Sequence, residues 1–441
     1  MKHILSILTI IFLNGCSSFL DVDPQASIPG EGVIKDEISA NAALHGAYVA
    51  LRDYYSINFQ SIAYLSGDNV EWTGSQSQVQ EFINHRVNAE NATIGNTWNG
   101  IYKAINRANN VIKSVGDLSD EIIDPAVRNN ILGQAYAIRA LGFFDLARVW
   151  GGVPLATEPT SQPGENVGLE RSSIEETYLQ VLFDLNKSEE LLPETTERTI
   201  FTRKTVWALK ARYFLYRKDW EQAISYATKL INDPQYELLN PYYSFFLGNV
   251  SSTRESVFEF AYNSNELNPH RAQWQPQTNG GTRQWAPSAD LIALLNDRDT
   301  GGARNRLIAK DNQNRWYGDL YYRSPATDPT YVVRIAELYL IRAEASAQLE
   351  DNSQAREDLN KVRERAQLIA KDVASSKQEI LLWIEQERRL EFPFEAHRWF
   401  DLVRTGRAQT VLGVTEEFRL LLPIPFSQIL ADPALKQNPG Y

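Results

Sequence analysis

The chain has 441 residues, a formal net charge of −11 at pH 7 and a single cysteine. The acidic balance argues against a nucleic-acid ligand and against a basic membrane-binding face, and one cysteine excludes a disulfide framework. Hydrophobic residues make up 43% of the chain, so the sequence can build a large core whose stability comes from burial.

The N-terminal stretch is typical of an export signal. The run Ile4–Leu13 is mostly apolar; it is too short for a transmembrane helix of about 20 residues but has the length of the apolar region of a signal peptide. The letters "LNGC" that end at Cys16 resemble the lipobox of bacterial lipoproteins. This resemblance implies that residues 1–15 are a signal peptide and that Cys16 carries the lipid anchor. The alternative is an ordinary signal peptide with a chance cysteine.

Apolar residues at helical spacing predict a mainly α fold. Stretches that begin at Trp207 and at Ala343 resemble tetratricopeptide units, in which small and aromatic residues alternate on paired helices. Such pairs cannot bury their faces alone and must stack. We therefore predict a tetratricopeptide-like helical-repeat scaffold over about 36–234 and 331–441. Its other predicted helices cover about 96–114, 129–149, 173–191 and 203–217.

The composition of the sequence changes between about 235 and 330. Asn, Gln, Gly and Pro become frequent there, and aromatic residues appear without helical period. We expect a short strand in "ESVFEFAYN" and a helix over Ser288–Asn296. Long irregular segments in a compact protein usually form binding surfaces, and the aromatic content argues against disorder. This region is therefore predicted to be an irregular, loop-rich ligand-binding region.

Three loop stretches combine aromatic rings with amide and charged side chains. A pyranose ring can stack its C–H face on Trp or Tyr, while its hydroxyl groups need polar partners nearby. The stretches are "GDNVEWTGSQSQ", "RAQWQPQTNGGTRQW" and "NRWYGDLYY". The candidate ligand-binding residues are Asp68, Asn69, Trp72, Arg271, Trp274, Arg283, Trp285, Trp316 and Tyr322. The alternative is that these aromatic residues pack the loops or contact a membrane partner.

The segment from Glu385 to Arg404 is dense in charge. Two of its carboxylates could act as the acid and base of a glycosidase, but the spacing of three or four residues favours ion pairs along and between helices. His397 could be a base, yet a packed histidine is the simpler interpretation. The sequence contains no motif for a metal, a cofactor or a catalytic nucleophile. We therefore predict a protein without enzymatic activity and without a cofactor.

Six motifs in order resemble the SusD-like (RagB/SusD) family of outer-membrane nutrient-binding lipoproteins. The resemblance extends from Cys16 to Tyr441. The motifs are "CSSFLDVDP", "IYKAINRANNVI", "AIRALGFFDLARVWGGVPL", "YVVRIAELYLIRAEA", "IEQERRLEFPFEAHRWFDLVRTG" and "LLPIPFSQILADPALKQNPGY".

This resemblance implies a lipid-anchored protein of the outer membrane that faces the cell exterior. It implies capture of an oligosaccharide or polysaccharide over a SusC-like TonB-dependent transporter, with the binding protein acting as a lid. A peptide or another nutrient could be the ligand of the same architecture. A surface glycosidase and a purely structural lipoprotein are the remaining alternatives.

Overall fold

The computed structural model describes residues 34–162, 164–372 and 376–441. The predicted signal peptide and the predicted lipidation at Cys16 lie outside these residues. The described part of the chain is mostly helical, which confirms the predicted fold class. None of its helices combines the length and the apolarity needed to cross a membrane.

Helices dominate the order of elements. The α-helices are α1 (Glu37–Tyr54), α2 (Ile57–Leu65), α3 (Ser77–Ile83), α4 (Ala92–Gly116), α5 (Pro125–Trp150), α6 (Ile174–Leu191), α7 (Arg203–Arg217), α8 (Trp220–Ile231), α9 (His270–Trp274), α10 (Ala289–Asn296), α11 (Ile335–Gln348), α12 (Asn352–Arg365), α13 (Lys377–Glu391), α14 (Arg398–Arg404), α15 (Ala408–Leu412) and α16 (Phe426–Ala431). The strands are β1 (Val70–Trp72), β2 (Ser256–Phe260), β3 (Trp285–Pro287), β4 (Ile308–Lys310), β5 (Trp316–Gly318) and β6 (Thr330–Arg334).

Local sequence signals fix where the long helices begin. The Asp124 side chain accepts hydrogen bonds from the first backbone amides of α5, and Pro125 occupies the first helical position, where no amide hydrogen is needed. Ser173 and Glu176 form a reciprocal capping box at the start of α6. These side chains satisfy amides that have no partner within the helix.

The long helices stack in one continuous series. Helix α4 packs between α1 and α5, α5 packs on α6, and α6 on α7. Helices α7 and α8 form one hairpin, α11 and α12 form another, and α8 packs directly on α11. The two predicted tetratricopeptide-like units are therefore neighbours in space, although about a hundred residues separate them in the chain. Ala211, Ala223 and Ala343 are completely buried in these units, where small side chains let helices approach closely.

Three two-stranded antiparallel sheets organise the region between the two hairpins. Strand β2 pairs with β6 and confirms the predicted strand in "ESVFEFAYN", and α10 confirms the predicted helix. Strand β1 pairs with β3, with Trp72 opposite Trp285. Strand β4 pairs with β5, with Lys310 opposite Trp316. The loop around Trp72 therefore joins the irregular region, although it lies some 200 residues earlier in the sequence.

Buried ion pairs join the irregular region to the scaffold, as the charge spacing of the segment from Glu385 to Arg404 predicts. Arg334 at the end of β6 lies 2.8 Å from Glu391 of α13 and 2.7 Å from Glu395. Arg304 lies 2.9 Å from Glu391 and also contacts Glu387. Unpaired charges would be costly in this interior, so the pairs hold each other in place.

His397 belongs to the same buried interior. Burial lowers its pKa to about 3, so the imidazole is neutral at pH 7. Its ring packs on Phe392 with 4.6 Å between the ring centroids. This environment agrees with the interpretation of His397 as a packed histidine.

Candidate functional site

Two of the predicted ligand-binding aromatics lie in the core. Trp274 and Trp285 are both 0% exposed. The centroid of the Trp274 ring lies 4.5 Å from that of Phe394, and the Trp285 ring lies 5.2 Å from Tyr64. Neither indole presents a face to a ligand, so the prediction that they stack on sugar is wrong for these two residues. They pack the inner side of the loops instead.

Asp68 and Asn69 hold the Trp72 loop against the scaffold. The Asp68 carboxylate accepts hydrogen bonds of 2.6 and 2.9 Å from Arg398 of α14. Asn69 is buried, and its side-chain oxygen accepts a hydrogen bond of 2.9 Å from Arg389 of α13. These hydrogen bonds tie both side chains to the scaffold, and direct contact of Asp68 and Asn69 with a ligand stays a prediction.

Four other residues lie on or beside the strands β1, β3, β4 and β5, which backbone pairing and one side-chain hydrogen bond connect. We call Trp72, Arg283, Lys310 and Trp316 the aromatic platform. The backbone amide of Thr73 donates to the carbonyl of Gln284 at 2.8 Å and extends the β1–β3 ladder. The Arg283 side chain then donates from Nε to the Trp316 carbonyl at 2.8 Å. Two sequence-distant loops and the β4–β5 hairpin therefore form one surface.

Both aromatic rings of the platform are partly exposed. Lys310 holds its Nζ 4.7 Å from the centroid of the Trp316 ring, within the range of a cation–π interaction. The Trp72 ring lies against Gly74, where an added Cβ would come within 2.3 Å of the ring. Trp72 Nε1 is buried and has no hydrogen-bond partner in the described parts of the chain. The platform thus combines two partly exposed rings with the hydrogen-bond donors of Arg283 and Lys310.

The charges at the platform lie close enough to influence each other. Burial, and after it the positive charge of Arg315, lowers the pKa of Arg283. The carboxylates of Asp311 and Glu71 oppose this effect. Asp311 lies 2.7 Å from Arg315 across the β4–β5 turn and is largely engaged there.

Arg271 and Tyr322 make their contacts away from these four residues. Arg271 donates to the carbonyl of Asn279. The Tyr322 hydroxyl accepts a hydrogen bond of 3.2 Å from the backbone amide of Asn249. Both side chains are only partly buried, and they belong to the surrounding loops rather than to the platform.

Sequence reasoning missed Lys310 and Arg315. The signal that could have found them is the stretch "IAKDNQNRWYG", in which a polar turn separates two short apolar runs. Asn314 has a positive φ of 60° in that turn, a conformation that asparagine tolerates. Recognising a hairpin would have placed Lys310 opposite Trp316.

A separate groove of about 430 Å³ lies along α4. Its walls are residues 154–162 and 164–169 and the C-terminal segment around α16, and Lys103 also lines it. Asn106 and Asn109 are among its lining residues, but their side-chain amides hold the groove wall. Asn106 donates to the Thr160 carbonyl at 3.1 Å and Asn109 to the Ala156 carbonyl at 2.9 Å. The central amides of the groove are therefore engaged within the protein.

No group of three or more His, Cys, Asp or Glu side chains is arranged to hold a metal ion across the described residues. The arrangement suits non-covalent binding, in which rings stack and polar groups orient a ligand. A helical-repeat scaffold that carries a separate loop surface defines a class of ligand-binding proteins.

Comparison with known sequences identifies the family within that class. A family model described as starch-binding and associating with the outer membrane matches residues 18–215, and the SusD family model matches residues 254–419. The chain belongs to the SusD-like (RagB/SusD) family, as the sequence motifs indicate. The family is associated with the outer membrane.

The relatives match over nearly their whole length. SusD-like protein P38 of Formosa agariphila is 29% identical, over 99% of this chain and 98% of its own. A solved structure of a laminarin-binding SusD-like protein is 24% identical, with a TM-score of 0.82 over 92% of this chain and 100% of its own. A SusD superfamily protein of Bacteroides vulgatus shares 20% identity, also with a TM-score of 0.82 over 92% of this chain and 100% of its own. These structures share the fold.

Proposed function

We propose that this protein is a lipid-anchored, cell-surface glycan-binding protein that delivers its ligand to a SusC-like TonB-dependent transporter. Membership of a family described as starch-binding and outer-membrane-associated supports the general role. The observation that carries the proposal is the aromatic platform, because partly exposed Trp72 and Trp316 lie there beside hydrogen-bond donors. Capture of the glycan, without bond cleavage, is the proposed activity.

Stacking would supply much of the affinity at this surface. Sugar C–H groups present an apolar face that suits an indole ring, and each buried hydroxyl group must regain a hydrogen bond that it loses from water. Two nitrogens of Arg283 remain available for that purpose, since only Nε is engaged by a partner among the described residues. The proposed site therefore combines shape, stacking and a directional donor.

Calorimetry on the chain from Ser17 onward tests the proposal. The titrants are polysaccharides and oligosaccharides of defined linkage together with peptides, and each mixture is also assayed for new reducing ends. We expect saturable glycan binding without cleavage. The Trp316→Ala and Trp72→Ala variants should each bind at least about tenfold more weakly, a change of ~1.4 kcal/mol.

Phe183→Ala is the matched control, since this aromatic side chain is 50% exposed on α6 and far from the loops in sequence. It should leave glycan binding unchanged. Binding of peptides alone would favour peptide as the ligand, and new reducing ends would favour a glycosidase. Glycan binding that survives both tryptophan substitutions would move the site away from the platform.

A test of delivery requires the transporter. Cells that carry the full-length protein with its SusC-like partner should import the bound glycan, and Cys16→Ala should reduce that import because the anchor is lost. Equal import with and without the binding protein would contradict the delivery role.

A further inference from the structure

We infer that the ligand of the aromatic platform is a glycan that carries negatively charged groups, either carboxylate or sulfate ester. The inference rests on the proposed function and names the class of glycan that this surface selects. It starts from the cations that surround Trp316.

Two cations at the platform have no acidic partner in the described parts of the chain. Arg283 uses only Nε, which donates to the Trp316 carbonyl, and it forms no ion pair. Lys310 is exposed and directs its ammonium toward the Trp316 ring at 4.7 Å, also without an ion pair. Lys310 lies over the Trp316 indole, and Arg283 contacts the backbone carbonyl of the same residue.

Acidic side chains are not scarce in this chain. The protein has 55 acidic and 44 basic side chains, so potential acidic partners are in excess. Most buried arginines of the scaffold, such as Arg304 and Arg334, are paired with glutamates. Arg283 and Lys310 instead keep their charges unneutralised beside a partly exposed aromatic ring.

Nearby charges do not cancel those two cations. Arg315 is close enough to lower the pKa of Arg283 after the effect of burial, but its own charge is paired with Asp311. Asp311 is engaged by Arg315 through hydrogen bonds from its Nε and its backbone amide. Glu71 is exposed at the rim and accepts only a long hydrogen bond, of 3.3 Å, from the Ala289 amide. A positive surface therefore remains around the ring.

An acidic sugar residue matches this surface. The face of its pyranose ring can stack on Trp316. Its carboxylate or sulfate then projects from the edge of the sugar ring, where Arg283 and Lys310 can donate charge-assisted hydrogen bonds. A guanidinium pairs well with planar or multidentate oxyanions, and it is weakly hydrated compared with an ammonium group. A neutral sugar would leave both cations without a counter-charge.

The test compares charged and neutralised forms of the same glycan. The probes are an oligogalacturonate with its methyl ester and a sulfated galactan oligosaccharide with its desulfated form, titrated into the chain from Ser17 onward. The preferred anionic form should bind at least about tenfold more tightly than its neutralised partner. The difference should shrink as salt is added, because exposed charges are screened.

Variants show which residues produce the preference for the anionic glycan. Lys310→Gln and Arg283→Gln should each reduce the preference for the anionic form, whereas Trp316→Ala should weaken binding of both forms. Lys103→Gln is the charge-matched control, because this exposed lysine lines the separate groove along α4. An effect of Lys103→Gln equal to that of Lys310→Gln would overturn the inference by moving the anion to that groove.

The outcomes separate the inference from the proposed function. Equal binding of charged and neutralised forms, with sensitivity to Trp316→Ala, overturns the acidic-glycan inference and leaves the platform as a glycan site. Tighter binding of the oligogalacturonate than of its methyl ester identifies a uronate. Tighter binding of the sulfated galactan than of its desulfated form identifies a sulfated sugar. Absence of binding to these probes and to every neutral glycan in the panel would contradict both the proposed function and this inference.

Discussion

Tryptophans with similar sequence surroundings have opposite roles in this protein. Trp274 is fully buried against Phe394 and Trp285, whereas Trp316 is partly exposed under Lys310. We expect Trp274→Ala to lower the free energy of unfolding by ~3–5 kcal/mol, because the substitution leaves a cavity in a packed aromatic cluster. Urea denaturation followed by circular dichroism measures this loss.

Trp316→Ala is the matched comparison at the residue scale. It should cost clearly less stability than Trp274→Ala, since part of the Trp316 ring already faces solvent, while its effect on glycan binding should be larger. Equal losses of stability for the two variants would contradict the assignment of Trp274 to packing and Trp316 to the surface.

Glu337 gives the stability of the protein a defined pH dependence. Burial alone would raise its pKa, but the charge of Arg212 and hydrogen bonds from Arg212 outweigh burial and lower the pKa to about 2. Because the folded value lies below the ordinary value of 4.5, the ionised carboxylate stabilises the fold above about pH 4.5. That contribution is lost progressively as the pH falls from about 4.5 to about 2.

The Glu337→Gln variant tests the direction of this pH dependence. It should be less stable than the parent protein at pH 7 by about 3 kcal/mol, and the gap should narrow as the pH falls below 4.5. Thermal unfolding between pH 7 and the acid limit of folding measures the gap. Glu175→Gln removes an exposed partner of Arg217 and is the control, with little expected effect at any pH. A gap that widens in acid would contradict the assigned pKa direction.

At the scale of elements, adding a side chain at two glycines on neighbouring helices should change the stability of the protein in opposite directions. A Cβ at Gly142 of α5 would lie 2.9 Å from Ile105 of α4, whereas a Cβ at Gly95 of α4 would meet nothing within 4 Å. Gly142→Val should therefore lose ~1–3 kcal/mol of stability by forcing α4 and α5 apart. Gly95→Ala should gain up to ~1 kcal/mol, because alanine favours the helix more than glycine does.

Chemical denaturation of both variants at one pH measures the two predicted changes in stability. Gly95→Ala reports the effect of replacing a helical glycine in open space, whereas Gly142→Val also reports the close approach of α4 and α5. Stabilisation by Gly142→Val would show that the α4–α5 contact is looser than the 2.9 Å separation indicates.

The elements were predictable to the extent that their signals are local. The periodicity of apolar residues predicted α4, α5, α6 and α7 to within a few residues at each end, because a helix repeats its own pattern every turn. The strand β2 followed from its aromatic and β-branched residues. The two tetratricopeptide-like stretches indicated that helical pairs must stack. That α8 packs on α11 is a finding of the structure.

The candidate site was less predictable because its geometry is not local. Whether a loop tryptophan is buried depends on the pairing of β1 with β3, which joins residues about 215 positions apart. Composition alone could not separate Trp285, which is fully buried, from its cross-strand partner Trp72, which is partly exposed. Likewise, Asp68 looks like a sugar ligand in the sequence, but Arg398, 330 residues later, engages its carboxylate.

At the scale of the whole molecule, the scaffold fixes the position of the binding loops through a few long-range ion pairs. Arg398 on α14 holds Asp68, and Arg389 on α13 holds Asn69, immediately before strand β1. Trp72 therefore depends on helices from the other end of the chain. The structure predicts that glycan affinity can be reduced by substitutions in the scaffold that touch no ligand.

A double-mutant cycle on Asp68 and Arg398 tests this coupling. Asp68→Ala and Arg398→Ala should each weaken glycan binding to a similar degree, and the double variant should bind no worse than either single one, because both remove the same support. If Asp68 contacts the ligand directly, its substitution should instead cost more than that of Arg398, and the two effects should add. Calorimetry supplies the affinities, and hydrogen exchange of the β1 amides supplies a second readout, since loss of the support should speed exchange in β1 even without ligand.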